Sequence, residues 1–210
     1  RRMEEQRTAL TYFRVPLMLR RADTQPSERA KTLAKLALAT SMIGRYENAE
    51  SALKEALTLL HELGDLHQEA HIHDSLGFLY EEQGLYKDAL SYYKKGLDRR
   101  VQIDDKSLQP ESMSNVAYMH FLIGDLSLAE IYWQQALSLF EQNGDKSHLL
   151  RTYQNLAQLS LVKGNNTVAT RYLTKVANNI TKENEQERMY NYLLYSFLHF
   201  ATGNRKEAFE

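Results

Sequence analysis

The chain has 210 residues, 43% of them hydrophobic and 25% charged, with three prolines and no cysteine. Lys and Arg number 26 against 27 Asp and Glu, a formal charge of −1, so no global field draws the chain onto a phosphate backbone or an anionic bilayer, and nucleic acid is not expected as a direct partner. The lack of cysteine excludes a disulfide framework, a thiolate nucleophile and a cysteine zinc site, and no apolar run approaches the roughly 18–20 residues that a membrane span needs.

Arg1–Arg21 carries apolar residues at helical spacing through Ala9, Tyr12, Phe13, Leu17 and Leu19. Pro16 interrupts that pattern, which predicts a kink or an ending there. Ser27 reads as the N-cap of the next helix, over about Glu28–Ile43, and a second follows over Tyr46–Leu63 after a turn at Gly44. Gly64-Asp65 closes that pair and opens the next, the glycine for a left-handed residue past a helix end and the aspartate to cap the following helix. Further pairs are predicted over Leu66–Gln83 with Tyr86–Ile103, Gln109–Ile123 with Leu126–Gln142, and Lys146–Lys163 with Val168–Thr181. A last helix is expected over Gln186–Thr202, with a truncated partner at Arg205–Glu210. The connection Asp104–Pro110 is looser than the others. Eleven helices are expected, counting the two partial ones, and no strand.

These pairs repeat with a period of forty residues. The stretch Leu76–Leu97, LGFLYEEQGLYKDALSYYKKGL, is the unit: Gly84 recurs at Gly44, Gly124 and Gly164, and Ala89 at Ala49, Ala129 and Ala169. A Gly203/Ala208 pair follows one residue short. On the first helix of each pair a small residue, Ala37, Gly77, Ala117 or Ala157, follows a large apolar one. On the second, Leu53, Tyr93, Trp133 and Leu173 are bulky knobs, followed three residues later by Ala56, Gly96, Ala136 and Val176. Antiparallel pairs of this kind bury small residues where helix backs meet and large ones where neighbouring pairs interlock. Fixed self-similarity at 20–50 residues marks a solenoid, so the chain is counted as one domain: a second helix of a truncated repeat at 1–24, full repeats at 27–64, 65–104, 105–144 and 145–184, and a truncated repeat at 185–210. The chain reads as cut from a larger protein, and a cytoplasmic setting is the expectation.

This small–Gly–Ala–bulky–small pattern resembles the tetratricopeptide repeat over nearly the whole chain. The forty-residue period exceeds that family's usual length of about 34, and its closing proline is replaced by Gly-Asp. Such long repeats look like those of kinesin light chain, of Leu-Gly-Asn spindle-orientation proteins and of bacterial regulators related to the maltose activator. The resemblance implies an all-α, right-handed superhelix of antiparallel helix pairs whose first helices line a concave groove for a protein or peptide.

Carried onto this sequence, the groove would be lined by Lys31 and Lys35, Asp74 and Phe78, Glu111, Asn115 and Tyr118, Arg151, Asn155 and Gln158, and Phe197. Asn115 and Asn155 stand where related domains often keep an amide that bonds an extended peptide backbone. The chaperone clamp's lysine and asparagine are not matched by Asp74 and Phe78, and the mixed charge argues for an internal segment as ligand. His67 and His71, one turn apart, lack a convergent third ligand and are not read as a metal site. His73, His120 and His199 stand at packing positions, where partner hydrogen bonds are expected. No phosphate loop or nucleophile–base pair occurs, so neither enzyme activity nor a cofactor is expected. The alternative to groove binding is a self-association module, a homodimer formed through the aromatic-rich C-terminal repeat with Tyr190, Tyr192, Tyr195, Phe197 and Phe200.

Overall fold

A computed structural model describes residues 25–180 and 185–203. It contains α1 (Pro26–Ser41), α2 (Tyr46–Leu63), α3 (Leu66–Glu81), α4 (Tyr86–Gln102), α5 (Gln109–Ile123), α6 (Leu126–Asn143), α7 (Lys146–Val162), α8 (Asn166–Asn179) and α9 (Glu185–Ala201), with no strand among the described residues. Every expected helix within that range is present, two of them, Tyr46–Leu63 and Gln109–Ile123, to the residue. The helix expected at Arg1–Arg21, its kink at Pro16 and the partial helix at Arg205–Glu210 lie outside the described residues. Odd-numbered helices are the first of each pair, and the fold is an all-α repeat array.

The helix ends follow from local chemistry. Asp65 Oδ1 accepts from Gln68 N at 3.0 Å and Asp145 Oδ1 from His148 N at 3.1 Å, each satisfying a donor that a helix start leaves open. Ser27 is not a cap: α1 begins one residue earlier, with Gln25 in the capping position and Pro26 in the first turn. Proline wins there because its ring presets φ and its missing N–H costs nothing in a first turn.

Gly64 and Gly144 end their helices in the left-handed region, at φ 66° and 70°. One period between them stands Asp104, the one described non-glycine residue with positive φ, at 52°. An L side chain in that conformation costs roughly 1 kcal/mol that glycine does not incur. Asp104→Gly is therefore expected to raise stability by about 0.5–1 kcal/mol, offset in part by the larger backbone entropy of unfolded glycine. A urea midpoint that falls on this substitution would show that the Asp104 side chain contributes more than its geometry costs.

The chain, counted as one domain from its period, groups into two compact units, 1–106 and 107–210, divided inside the looser Asp104–Pro110 connection. In the first unit α1 packs on α2, α2 on α3 and α3 on α4. Its core holds Leu33, Ala37, Ala49, Leu53, Ala56, Leu60, Ile72 and Leu76. In the second, α5 packs on α6, α6 on α7, α7 on α8, and α9 on both α7 and α8. That core holds Ala117, Ala129, Trp133, Leu156, Ala157, Ala169, Leu173 and Val176. The small and bulky sets read from the period are thus buried.

Two glycines owe their identity to close approach. A Cβ on Gly77 would stand 2.7 Å from the Tyr93 ring, and one on Gly96 would stand 2.6 Å from Asp74 Oδ1. Where the other repeats pair alanine with Leu53, Trp133 or Leu173, the second repeat gives up the methyl group to seat a tyrosine, whose hydroxyl donates to Glu81 Oε2 at 2.7 Å. Burial holds the Glu81 carboxyl above its usual range.

Candidate functional site

In each unit the candidate face is built by the odd-numbered helices. Positions one residue past the buried small residue project away from the core, because a step of one residue turns an α-helix by about 100°. In the first unit those positions hold Leu38, 57% exposed, and Phe78, 46% exposed; in the second they hold Tyr118, Gln158 and, counted from Gly203, Phe197, also 57% exposed. Large apolar side chains thus recur in water at one register position.

Around them in the first unit, Lys31 and Lys35 are exposed on α1, with Lys31 Nζ 2.9 Å from Glu28 Oε1. Asp74 is not an open groove carboxylate. It is ion-paired with Arg100, a residue only 4% exposed, and it occupies the space left by Gly96. Arg100 takes the place that Leu60 and Phe140 fill one period away, so an ion pair replaces an apolar layer.

In the second unit Glu111 and Arg151 are exposed near the starts of α5 and α7, with Asn115 and Asn155 half-buried one turn further on. Gln158 is half-buried and accepts from the Tyr190 hydroxyl of α9 at 2.9 Å. Burial, with Tyr118 nearby, raises the Tyr190 pKa. Gln154, on the same helix, is buried and donates to the Glu187 carbonyl at 2.6 Å, tying α7 to α9. The face of this unit is therefore mainly amide and phenol, with one charge of each sign, whereas the first unit's face carries cations beside Leu38 and Phe78.

The histidines divide. His67 and His71 meet edge to face at 4.9 Å, with His67 Nε2 3.8 Å from Asp105, and burial, then Arg100 and His67, lower the His71 pKa. The described residues contain no group of three or more His, Asp or Glu placed to hold a metal ion. His120 is buried, stacked on Tyr132 at 5.7 Å, with Nδ1 3.3 Å from Asp125. His73 is buried at the expected packing position, but its Nδ1 has no hydrogen-bond partner. Sequence reasoning missed the polar interior around it: Glu69, 1% exposed, is held by Arg99 Nε at 2.8 Å and lies 3.1 Å from His61 Nδ1. The available signal was Arg100 at an apolar register position.

No described helix is long and apolar enough to cross a membrane. Residues 28–100 match the family model of the tetratricopeptide repeat. No curated protein matches the chain. Among solved structures, BtubC (BKLC) from P. vanneervenii superposes with a TM-score of 0.81 at 18% identity, covering 98% of this chain and 84% of that one. A Rap protein complexed with competence and sporulation factor gives 0.76 at 15% identity, over 99% of this chain and 58% of that one. The signal transduction ATPase with a tetratricopeptide repeat sensor from Pyrococcus horikoshii gives 0.83 at 19%, over 98% of this chain and 33% of that one. The likeness to the tetratricopeptide array is a likeness of fold, and this chain spans a third to a little over half of the Rap and ATPase chains.

Proposed function

We propose that this chain, whose residues 28–100 match the tetratricopeptide repeat, is a protein-interaction module that binds a protein or peptide segment on the first-helix faces of its units, as the sensing or scaffolding part of a regulatory protein. The observation that carries this reading is the recurrence of Leu38, Phe78, Tyr118 and Phe197, all exposed, at one register position. A solvated face does not need large apolar side chains at a fixed period. A peptide does, because exposed apolar side chains are what association can desolvate. Asn115 and Asn155, one period apart, can each donate to and accept from its backbone. The Rap complex, a structure of the same fold with a bound factor, supports the reading, and enzyme activity has no place in it.

A peptide-display selection on the 210-residue chain tests it. Enriched peptides are expected to share a motif and to lose about one to two orders of magnitude in affinity on Asn115→Ala with Asn155→Ala, each lost neutral hydrogen bond costing about 0.5–1.5 kcal/mol. Selected peptides that bind the double variant as tightly as the wild type would remove the asparagines from the site, and a selection that enriches no shared motif would overturn the reading.

A second reading rests on α9. Met189 and Tyr192 are 67% and 65% exposed, yet their counterparts counted from the turn glycine, Leu150 and Tyr153, are buried. An apolar face of this kind, uncovered among the described residues, favours self-association, most simply as a two-fold dimer. Light scattering is expected to report a dimer of the 24.4 kDa chain that Tyr192→Glu shifts toward monomer. A monomer at tens of micromolar sinks this reading and leaves peptide binding untouched.

A further inference from the structure

A pocket of about 470 Å3 opens in the first unit between α2, α3 and α4, on residues that the proposed peptide face does not use. This lies within the 300–1,000 Å3 that small-molecule sites commonly span. Leu57 contributes an apolar wall, Glu69 and His73 the buried interior, and Lys95, Asp98 and Arg99 line it from α4. Glu69 is already answered by Arg99 and His61, so its charge is compensated without a ligand.

His73, Lys95, Asp98 and one end of Arg99 keep polar capacity open. Burial and the charges of Lys95 and Arg99 push the His73 pKa down to about 4, so its imidazole is neutral at pH 7 and carries one N–H. Its buried Nδ1 has no partner. Placing the proton on Nε2 leaves a lone pair at the buried Nδ1, and that N–H is then the donor His73 has to offer. Lys95, exposed, lies with Nζ 4.8 Å from the centre of the Tyr92 ring and forms no ion pair among the described residues. Arg99 spends Nε on Glu69 and Nη1 on Gln102, leaving Nη2. Asp98 is exposed and likewise forms no ion pair among the described residues.

Two cations and a neutral donor thus share one small pocket, walled on one side by Leu57, with one open carboxylate. We infer that this pocket binds a small zwitterion with an apolar side chain, of the class of a free aromatic α-amino acid. The carboxylate is taken by Lys95 and Arg99, the ammonium by Asp98, and the ring lies against Leu57 and His73. Neither an acid nor an amine alone satisfies both signs of charge, and one would leave Asp98 or Lys95 facing a like or absent partner.

Saturation-transfer NMR and calorimetry on the 210-residue chain test this with L-phenylalanine, phenylacetate and phenethylamine as probes. Phenylalanine is expected to bind in the millimolar range, each truncated probe about tenfold more weakly, and Lys95→Ala to cost a further tenfold, at 1.4 kcal/mol per decade. Lys95 is exposed, so this variant keeps the fold. Leu57→Trp, which fills the pocket, should abolish binding while leaving the helical circular dichroism in place. No signal from phenylalanine up to its solubility limit, binding unchanged in both variants, or an analogue that binds as tightly as phenylalanine would each overturn the assignment.

Discussion

Arg100→Ala is expected to destabilise the first unit by about 3–5 kcal/mol, the loss typical of removing one partner from a buried ion pair. The Arg100 side chain is 5% exposed and the Asp74 side chain it faces is 22% exposed, so alanine would leave a carboxylate that water reaches poorly and a void where the long side chain ran. The attraction itself is not the stabilising quantity, since taking both charges out of water offsets most of it. A second variant separates the two effects. Asp74→Ala with Gly96→Ala and Arg100→Leu installs the residues that the first repeat carries at the same register, Ala34, Ala56 and Leu60. Apolar replacement of a whole buried pair is often neutral or stabilising, so this triple variant should recover most of the loss. Urea midpoints for the three proteins decide it: a single variant as stable as the wild type would mean the pair is solvated in solution.

Trp133→Ala should cost the second unit about 3–5 kcal/mol, the range for deleting a large buried aromatic. Trp133 is fully buried, next to Ala117 and Ala129 in the core and 5.7 Å centre to centre from the Phe121 ring. Its indole N–H has no hydrogen-bond partner, so part of what burial contributes is already offset in the native protein. Trp133→Leu, the residue found at positions 53 and 173, should therefore lose clearly less than alanine, because it keeps most of the apolar contact and removes the orphan donor. As the one tryptophan in the chain it reports on itself. Native emission should be blue-shifted and move red as the second unit unfolds, and native emission at the wavelength of free tryptophan would place residue 133 in solvent and break the register of the third repeat.

The helices were readable because their signals are local and repeated. Glycine at 44, 84, 124 and 164, alanine five residues later and an aspartate cap at 65 and 145 act on the backbone within a few residues, and four copies of one pattern correct each other's noise. The small and bulky core positions were readable for the same reason, since they follow helical periodicity. The start of α1 was misplaced because Ser27 and Pro26 both signal a first turn, and only the geometry of the turn itself ranks them.

The sequence by itself determined the all-α repeat architecture, the helix limits to within two residues and the residues that pack where helices meet. It also marked the register position from which Phe78, Tyr118 and Phe197 face solvent. What each polar side chain does was decided by the tertiary structure. Asp74 and Arg100 are 26 residues apart, and Glu69 and Arg99 are 30 apart. Nothing in the spacing within one helix says that these charges pair, or that Gly96 is glycine to make room for a carboxylate. Nor does it tell that His73 ends with a buried nitrogen and no partner. Periodicity fixes which way a side chain points from its own helix; which charge it meets depends on the neighbouring helix, and burial then decides whether that meeting stabilises the fold or leaves a group open to a ligand.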